Sequence, residues 1–157
     1  MNSGGPDGEI GASMRYLSQR FTAPNRVCMA VLTDVATEEL GHLEMVSTIV
    51  HQLTANLTVE EIENQGFADY YVDHAVGIWP QSAGGIPFNS CEFQSKGDPI
   101  TDMFESMAAE QKARSTYDNI LRVVRDIPEI ADPIRFLRAR EVVHFQRFGE
   151  ALQSLQD

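Results

Sequence analysis

The chain has 157 residues, 43% of them apolar, and carries 12 basic against 23 acidic side chains for a formal net charge of −11. That length suits one domain with a sizeable core, and the acidic balance argues against a nucleic-acid partner, which needs basic patches. No stretch approaches the roughly 20 apolar residues that span a bilayer, so a soluble protein without a membrane partner is expected.

A first helix is expected from about Pro6, since proline is tolerated at a first helical position, to Arg20 or Phe21. Glu9 and Tyr16 lie seven apart and share one face of it. Ala23-Pro24-Asn25 breaks it, and a second helix runs from about Asn25 to Ala55. This helix carries Glu39-Leu40-Gly41-His42, with Leu32, Val35, Val46 and Ile49 on the same face. Residues three apart on a helix are neighbours, so a carboxylate and an imidazole point together into an apolar layer. Counted from the break, Glu9 lies about 15 residues back and Glu39 about 15 forward, and an antiparallel hairpin brings them level. Only eight residues precede Glu9, which leaves the far half of the second helix without an upstream partner and leads us to expect a chain that has lost N-terminal residues. Met1-Asn2-Ser3-Gly4-Gly5 has neither the charge nor the apolarity of a signal peptide. Cys28 and Cys91, far apart and outside any C-x-x-C, fit a reducing compartment rather than a disulfide scaffold.

Residues 56–97 read as a long connection. Thr58 and Glu61 form a capping box for a short helix over Val59–Asn64, a reading preferred to a glycosylation sequon at Asn56. Gly66 ends that helix, and Phe67–Tyr71 is expected to add a turn or two. Trp79-Pro80, Gly84-Gly85-Ile86-Pro87 and Lys96-Gly97 then forbid a long helix. Trp79, Phe88 and Phe93 are expected to pack the connection onto the rest of the molecule or a neighbouring subunit. Asp98-Pro99 starts a third helix, with Asp at the N-cap and Pro at N1. It runs to about Arg125 with Met103, Met107, Glu110, Arg114 and Tyr117 on one face. Asp132-Pro133 starts a fourth, to about Leu155, with Leu137, Glu141, His144 and Phe148 together.

The third and fourth helices repeat the chemistry of the first two. Glu9 precedes Glu39 by 30 residues, and Glu110 precedes Glu141 by 31, with Glu141-Val142-Val143-His144 a second E-x-x-H. Two helices that each give a Glu, and two that each give a Glu-x-x-His, make the dinuclear site of ferritin-like di-iron and di-manganese bundles. The expected fold is therefore all-α: a ferritin-like four-helix bundle over residues 1–157, with a long crossover between helices 2 and 3. Carboxylate and imidazole donors suit manganese or iron. We expect one metal on Glu9 and His42, a second on Glu110 and His144, and Glu39 bridging, with Glu141 a sixth ligand or an uncoordinated acid/base. His51, His74 and the six methionines read as ordinary residues.

Several stretches together resemble the manganese catalases, and among them the short, spore-coat (CotJC-type) members. They are Gly4-Gly5 with Gly8-Glu9, Met14-Arg15-Tyr16-Leu17-Ser18-Gln19, Thr37-Glu38-Glu39-Leu40-Gly41-His42-Leu43-Glu44-Met45, Gly84-Gly85-Ile86-Pro87-Phe88 and Ala139-Arg140-Glu141-Val142-Val143-His144. The resemblance covers essentially the whole chain. It implies two manganese ions held by Glu9, Glu39, His42, Glu110 and His144, with Glu141 a nearby carboxylate on the solvent-ligand side that moves protons and Tyr16 a hydrogen-bond partner of Glu9. It also implies disproportionation of hydrogen peroxide, a homo-hexamer, and a location in the cytoplasm or the spore coat, with other coat proteins as partners. The chain departs from the family at Ala109, where catalases carry an arginine, and in lacking the N-terminal arm and long C-terminal tail. Two rival functions share the ligand set. One is a di-iron oxidase or peroxidase, for which no Cys-x-x-Cys supplies a rubredoxin-type centre. The other is a coat component that keeps the metal site as a staple for the fold.

Overall fold

The computed structural model describes residues 4, 5, 7–66, 68, 71, 72, 77, 78, 82, 86 and 88–156. Four long helices carry the fold: α1 (Glu9–Gln19), α2 (Arg26–Thr54), α4 (Pro99–Val124) and α5 (Pro128–Gln156), with a short α3 (Val59–Asn64) after α2. Local chemistry sets most of their ends. The Asn25 side chain accepts a hydrogen bond from the Cys28 amide at 2.9 Å and starts α2. Asp98 does the same for α4 through the Thr101 amide at 2.8 Å, with Pro99 at the first helical position. Thr58 and Glu61 form the expected capping box, and Gly66, at φ +78°, takes the left-handed turn that ends α3.

The arrangement is the expected ferritin-like helical bundle, two antiparallel hairpins joined by the long crossover. Two apolar clusters form its core. One gathers Tyr16, Leu32, Val35, Met103 and Phe148, and the other gathers Val46, Tyr117, Ile134 and Leu137. Along α2, α4 and α5 alike, the acids and imidazoles fall between residues of the first cluster and residues of the second. A polar layer is thus sealed at both ends by apolar side chains.

Four details differ from the sequence reading. The described part of α1 begins at Glu9, after a turn in which the Gly8 amide donates to the Gly5 carbonyl at 2.9 Å; Pro6 lies outside the described residues. The fourth helix begins at Pro128, five residues before Pro133, and runs through the Asp132-Pro133 pair that was expected to start it. Pro133, the sixth residue of the helix, forfeits one backbone hydrogen bond, and burying Ala131 and Ile134 favours the longer helix despite it. In the crossover, Tyr71–Val72 pairs antiparallel with Gly77–Ile78 in a two-residue ladder, and of the turn expected over 67–71, residues 67, 69 and 70 lie outside the described residues. The helical class is unaffected. Lastly, the second half of α2 finds its partners downstream. Met45, Val46 and Ile49 pack with Ile120, Leu121, Ile130 and Ile134 of the other hairpin. Phe88 and Phe93 are half-buried and pack against each other with ring centroids 5.8 Å apart and planes tilted by 45°, whereas Trp79 lies outside the described residues.

Candidate metal centre

All six acids and imidazoles of the repeated motif meet in the polar layer: Glu9 from α1, Glu39 and His42 from α2, Glu110 from α4, and Glu141 and His144 from α5. Each is at most 2% exposed, so water cannot solvate their charges and something else must. Glu39 sits at the centre. Its Oε2 is 2.7 Å from His42 Nδ1 and its Oε1 is 2.8 Å from His144 Nδ1. The two imidazoles stack at 5.4 Å with an 18° angle between planes. Around them, His42 Nδ1 lies 3.8 Å from Glu9 Oε2 and 3.7 Å from Glu141 Oε1, and His144 Nδ1 lies 3.4 Å from Glu110 Oε2. One donor atom from each of Glu39, His42, Glu141 and His144 falls within 4.8 Å of all the others.

The electrostatics of this layer favour a cation. Burial, and then the neighbouring Glu39 charge, raise the Glu9 carboxyl well above its ordinary range. Burial and Glu110 raise Glu39. Glu141 is pushed up to about 12 by burial and by the charges of Glu110, Glu9 and Glu39. Burial works against a charged His144, yet Glu110 and Glu39 outweigh it and raise the ring to about 10. His42 moves the other way, lowered chiefly by burial. Protons are standing in for positive charge that the carboxylates lack. Geometry tells the same story: Glu39 Oε1, Glu110 Oε2, Glu141 Oε1 and His144 Nδ1 are buried with no well-aligned hydrogen bond among the described residues. Inward-facing oxygen and nitrogen atoms left in that state fit divalent manganese or iron.

Three contributors escaped the sequence reading, and one expected contact has moved. Tyr16 was expected on Glu9; its hydroxyl donates instead to Glu110 Oε1, and Tyr117 donates to Glu9 Oε1. Seven residues along a helix is about 10.5 Å of rise, too far for a tyrosine to reach the carboxylate of its own helix, so each serves the helix opposite. Glu38 lies behind both imidazoles, 3.5 Å from His42 Nε2 and 3.2 Å from His144 Nε2. Arg140 grips Glu38 with two donors, at 2.6 and 3.1 Å. Partial burial opposes the Glu38 charge, but Arg140 and His144 outweigh it and hold the carboxyl down at about 2. That places an anion behind each ring at ion-pair distance, without a well-aligned hydrogen bond, where a carboxylate behind a metal-binding histidine sits. His51 is exposed, and His74 lies outside the described residues.

A family model for manganese-containing catalase matches residues 2–157. The chain belongs to that family. Among manganese catalases and their relatives, Protein CotJC of Bacillus subtilis is 46% identical over 154 residues, covering 98% of this chain and 80% of its own length. A probable manganese catalase of Clostridium acetobutylicum is 30% identical, covering 98% of this chain and 68% of its own length. The crystal structure of KatB, a manganese catalase from Anabaena, superposes with a TM-score of 0.82 at 29% identity over 99% of this chain and 69% of that one. The fold and the Glu/His cluster are therefore those of a manganese-catalase-like protein. No described helix is long and apolar enough to cross a membrane.

Proposed function

We propose that the chain is a manganese-dependent, non-haem catalase that converts two molecules of hydrogen peroxide into two of water and one of dioxygen. The observation that carries this is the convergence of Glu9, Glu39, His42, Glu110, Glu141 and His144 in one sealed layer, with inward-facing atoms left for a cation, in a member of this family. Glu9 and His42 would hold one ion, Glu110 and His144 the second, and Glu39, whose two oxygens each face one ring, would bridge them. A manganese pair supplies the two-electron oxidation and reduction that the two half-reactions share.

The chain's own residues supply the rest. Oxidising one peroxide to dioxygen releases two protons, and reducing another to two waters consumes two. Glu141 is the candidate carrier, because it lies in the layer beside His42 and its Oε1 is buried with no well-aligned hydrogen bond among the described residues. Tyr16 and Tyr117 fix the rotamers of Glu110 and Glu9, and Glu38 fixes the two rings. We take residues 1–157 as one dimetal domain, acting as a homo-oligomer in the cytoplasm or the spore coat.

Protein purified after loading with manganese should evolve oxygen from peroxide, and no oxygen above a metal-free control would overturn the reading. Anomalous scattering at the manganese and iron edges separates it from a di-iron oxidase or peroxidase. Ala109, where catalases carry an arginine, favours the second reading of a coat component with a residual site. A coat role predicts normal assembly of a folded Glu39→Ala variant.

A further inference from the structure

A band of outer surface runs along α2 and changes sign halfway. Its first half borders a groove of about 640 Å³, lined by Arg20, Arg26 and Arg147 against a single acid, Asp34. That is a basic patch on a chain of net charge −11. Arg147 pairs with Asp34, whereas Arg26 is exposed and has no hydrogen bond or ion pair among the described residues. The Arg20 Nε donates to Thr33 Oγ1 at 3.0 Å, and its two terminal nitrogens have no hydrogen-bond partner among the described residues. Past the middle of α2 the charge is acidic. Glu44 is exposed there, and α3, which follows α2 after four residues, adds the exposed Glu60, Glu61 and Glu63. None of these four acids has a cation within ion-pair range among the described residues.

Between the two halves the band is apolar. Leu40 is 41% exposed, and a Cβ added at Gly41 would meet nothing within 4 Å. Thr37 lines the groove, and Leu40, Gly41 and Glu44 follow it at helical spacing on the same face. On α5, Phe136, Arg140 and Arg147 form the bordering stripe, tied to α2 through Glu38 and Asp34. Phe136 is 52% exposed and stands edge-on to His42, with ring centroids 6.4 Å apart. Leu40 is also the midpoint of α2, which runs from Arg26 to Thr54. Two copies packed antiparallel about Leu40 therefore bring each Arg26 to the end of the other's α2, where α3 follows. The same packing sets each Glu44 level with the other's groove, between Asp34 and Thr37. A parallel packing would set like charge on like. At 1.5 Å per residue α2 is about 43 Å long, and with α5 alongside the face offers on the order of 800 Å², the area per partner of a standard interface. We propose that this face binds a second copy of the chain about a two-fold axis at Leu40, each arginine groove taking the acidic α3 of the other copy. The pairing covers Phe136 and so closes the side of the metal-binding layer next to His42. It names a surface for the homo-oligomer proposed above and does not depend on that oligomer's chemistry.

The test is the mass in solution of the whole manganese-loaded protein, followed by light scattering through a dilution series. Wild type should hold an even number of chains and dissociate more readily at high salt, which screens exposed pairs. Arg20→Glu/Arg26→Glu makes the groove acidic, and Glu60→Lys/Glu63→Lys makes α3 basic. With helical circular dichroism intact, each should halve the mass and raise the dissociation constant at least about a hundredfold, because like charges then meet twice in every pair. Mixed in equal amounts, the two reversed proteins should recover the wild-type mass as mixed pairs, since groove and α3 are again opposite in both contacts. A wild-type monomer, or a folded mixture that stays dissociated, would overturn the pairing. An unchanged mass in either reversed protein would overturn it too, and would leave the groove to an acidic partner of another kind. Oxygen evolution by the same wild-type preparation tests the catalase reading separately, so either can fail alone.

Discussion

The hydroxyl of Tyr117 donates to Glu9, a carboxylate that sits 108 residues earlier in the chain and on the other hairpin. Tyr16 returns the bond, donating to Glu110 from 94 residues away. Each tyrosine follows a site carboxylate of its own helix by seven residues, and each serves its counterpart across the α1–α4 crossing. The hairpins are thus tied by two equivalent bonds on buried carboxylates of the polar layer.

Tyr117→Phe and Tyr16→Phe should therefore behave alike. Each leaves a buried carboxyl oxygen without its donor, at a cost of about 1–3 kcal/mol. Denaturant titration of the metal-free proteins checks this. A loss confined to one of the two would show that the exchange is not equivalent.

Removing the clamp behind the imidazoles should act on metal affinity more than on folding. Glu38→Ala frees both rings to turn, and Arg140→Ala loosens Glu38. We expect manganese affinity to fall about 10–100-fold for Glu38→Ala and less for Arg140→Ala, measured by competition with a chelator. Equal affinity in all three proteins would show that packing alone orients the rings.

Without metal, the protein should lose stability as pH rises. His144, near 6.5 in the unfolded chain, is raised to about 10 in the fold, so its contribution is complete below pH 6.5 and is lost between 6.5 and 10. Glu141, near 4.5 when unfolded and about 12 when folded, favours the protonated carboxyl, and its contribution falls as pH climbs from 4.5. Both slopes run the same way. Glu38, held at about 2, contributes stability that is lost only as pH falls from 4.5 toward 2, outside this window. The melting temperature of the metal-free protein should drop by at least about 5 °C from pH 6 to pH 9. That of the manganese-loaded protein should change much less, because the cations replace the protons.

Chelation should be felt in stability as well as activity. A ligand bound only to the folded state stabilises it by about 2.7 kcal/mol at a hundredfold excess over its Kd, so removing manganese with a chelator should lower the melting temperature and restoring it should reverse the shift. Glu39→Gln, at the carboxylate touching both rings, should abolish that metal-dependent shift and the oxygen evolution together. A variant that kept the shift but lost activity would assign Glu39 a chemical role apart from holding metal.

Much of this was legible in the residues because the information was local. Asn25 and Asp98 announce helix starts through their own side chains, and the double E-x-x-H announces a shared layer through helical spacing. What stayed hidden depends on how one hairpin is rotated against the other. The partner of Tyr16 is set by the α1–α4 crossing, which no spacing within α1 can report, although Tyr117 follows Glu110 as Tyr16 follows Glu9. Glu38 and Arg140 immediately precede the two E-x-x-H motifs with opposite charges, a signal that pairs them once the motifs are known to meet. Pro133 misled because Asp132-Pro133 has the form of a helix start, while burial of Ala131 and Ile134 draws the helix back to Pro128.

Glu38 belongs to the first hairpin, yet it touches His144 of the second as closely as it touches His42 of its own. Each hairpin brings a Glu/His pair for one ion, but the carboxylates shared between the two rings, Glu39 within the layer and Glu38 behind it, both come from the first. Assembly of the halves and capture of the cations become one equilibrium, with the ions serving as a latch. A chain nicked in the connection between the hairpins would stay whole while loaded and come apart when stripped.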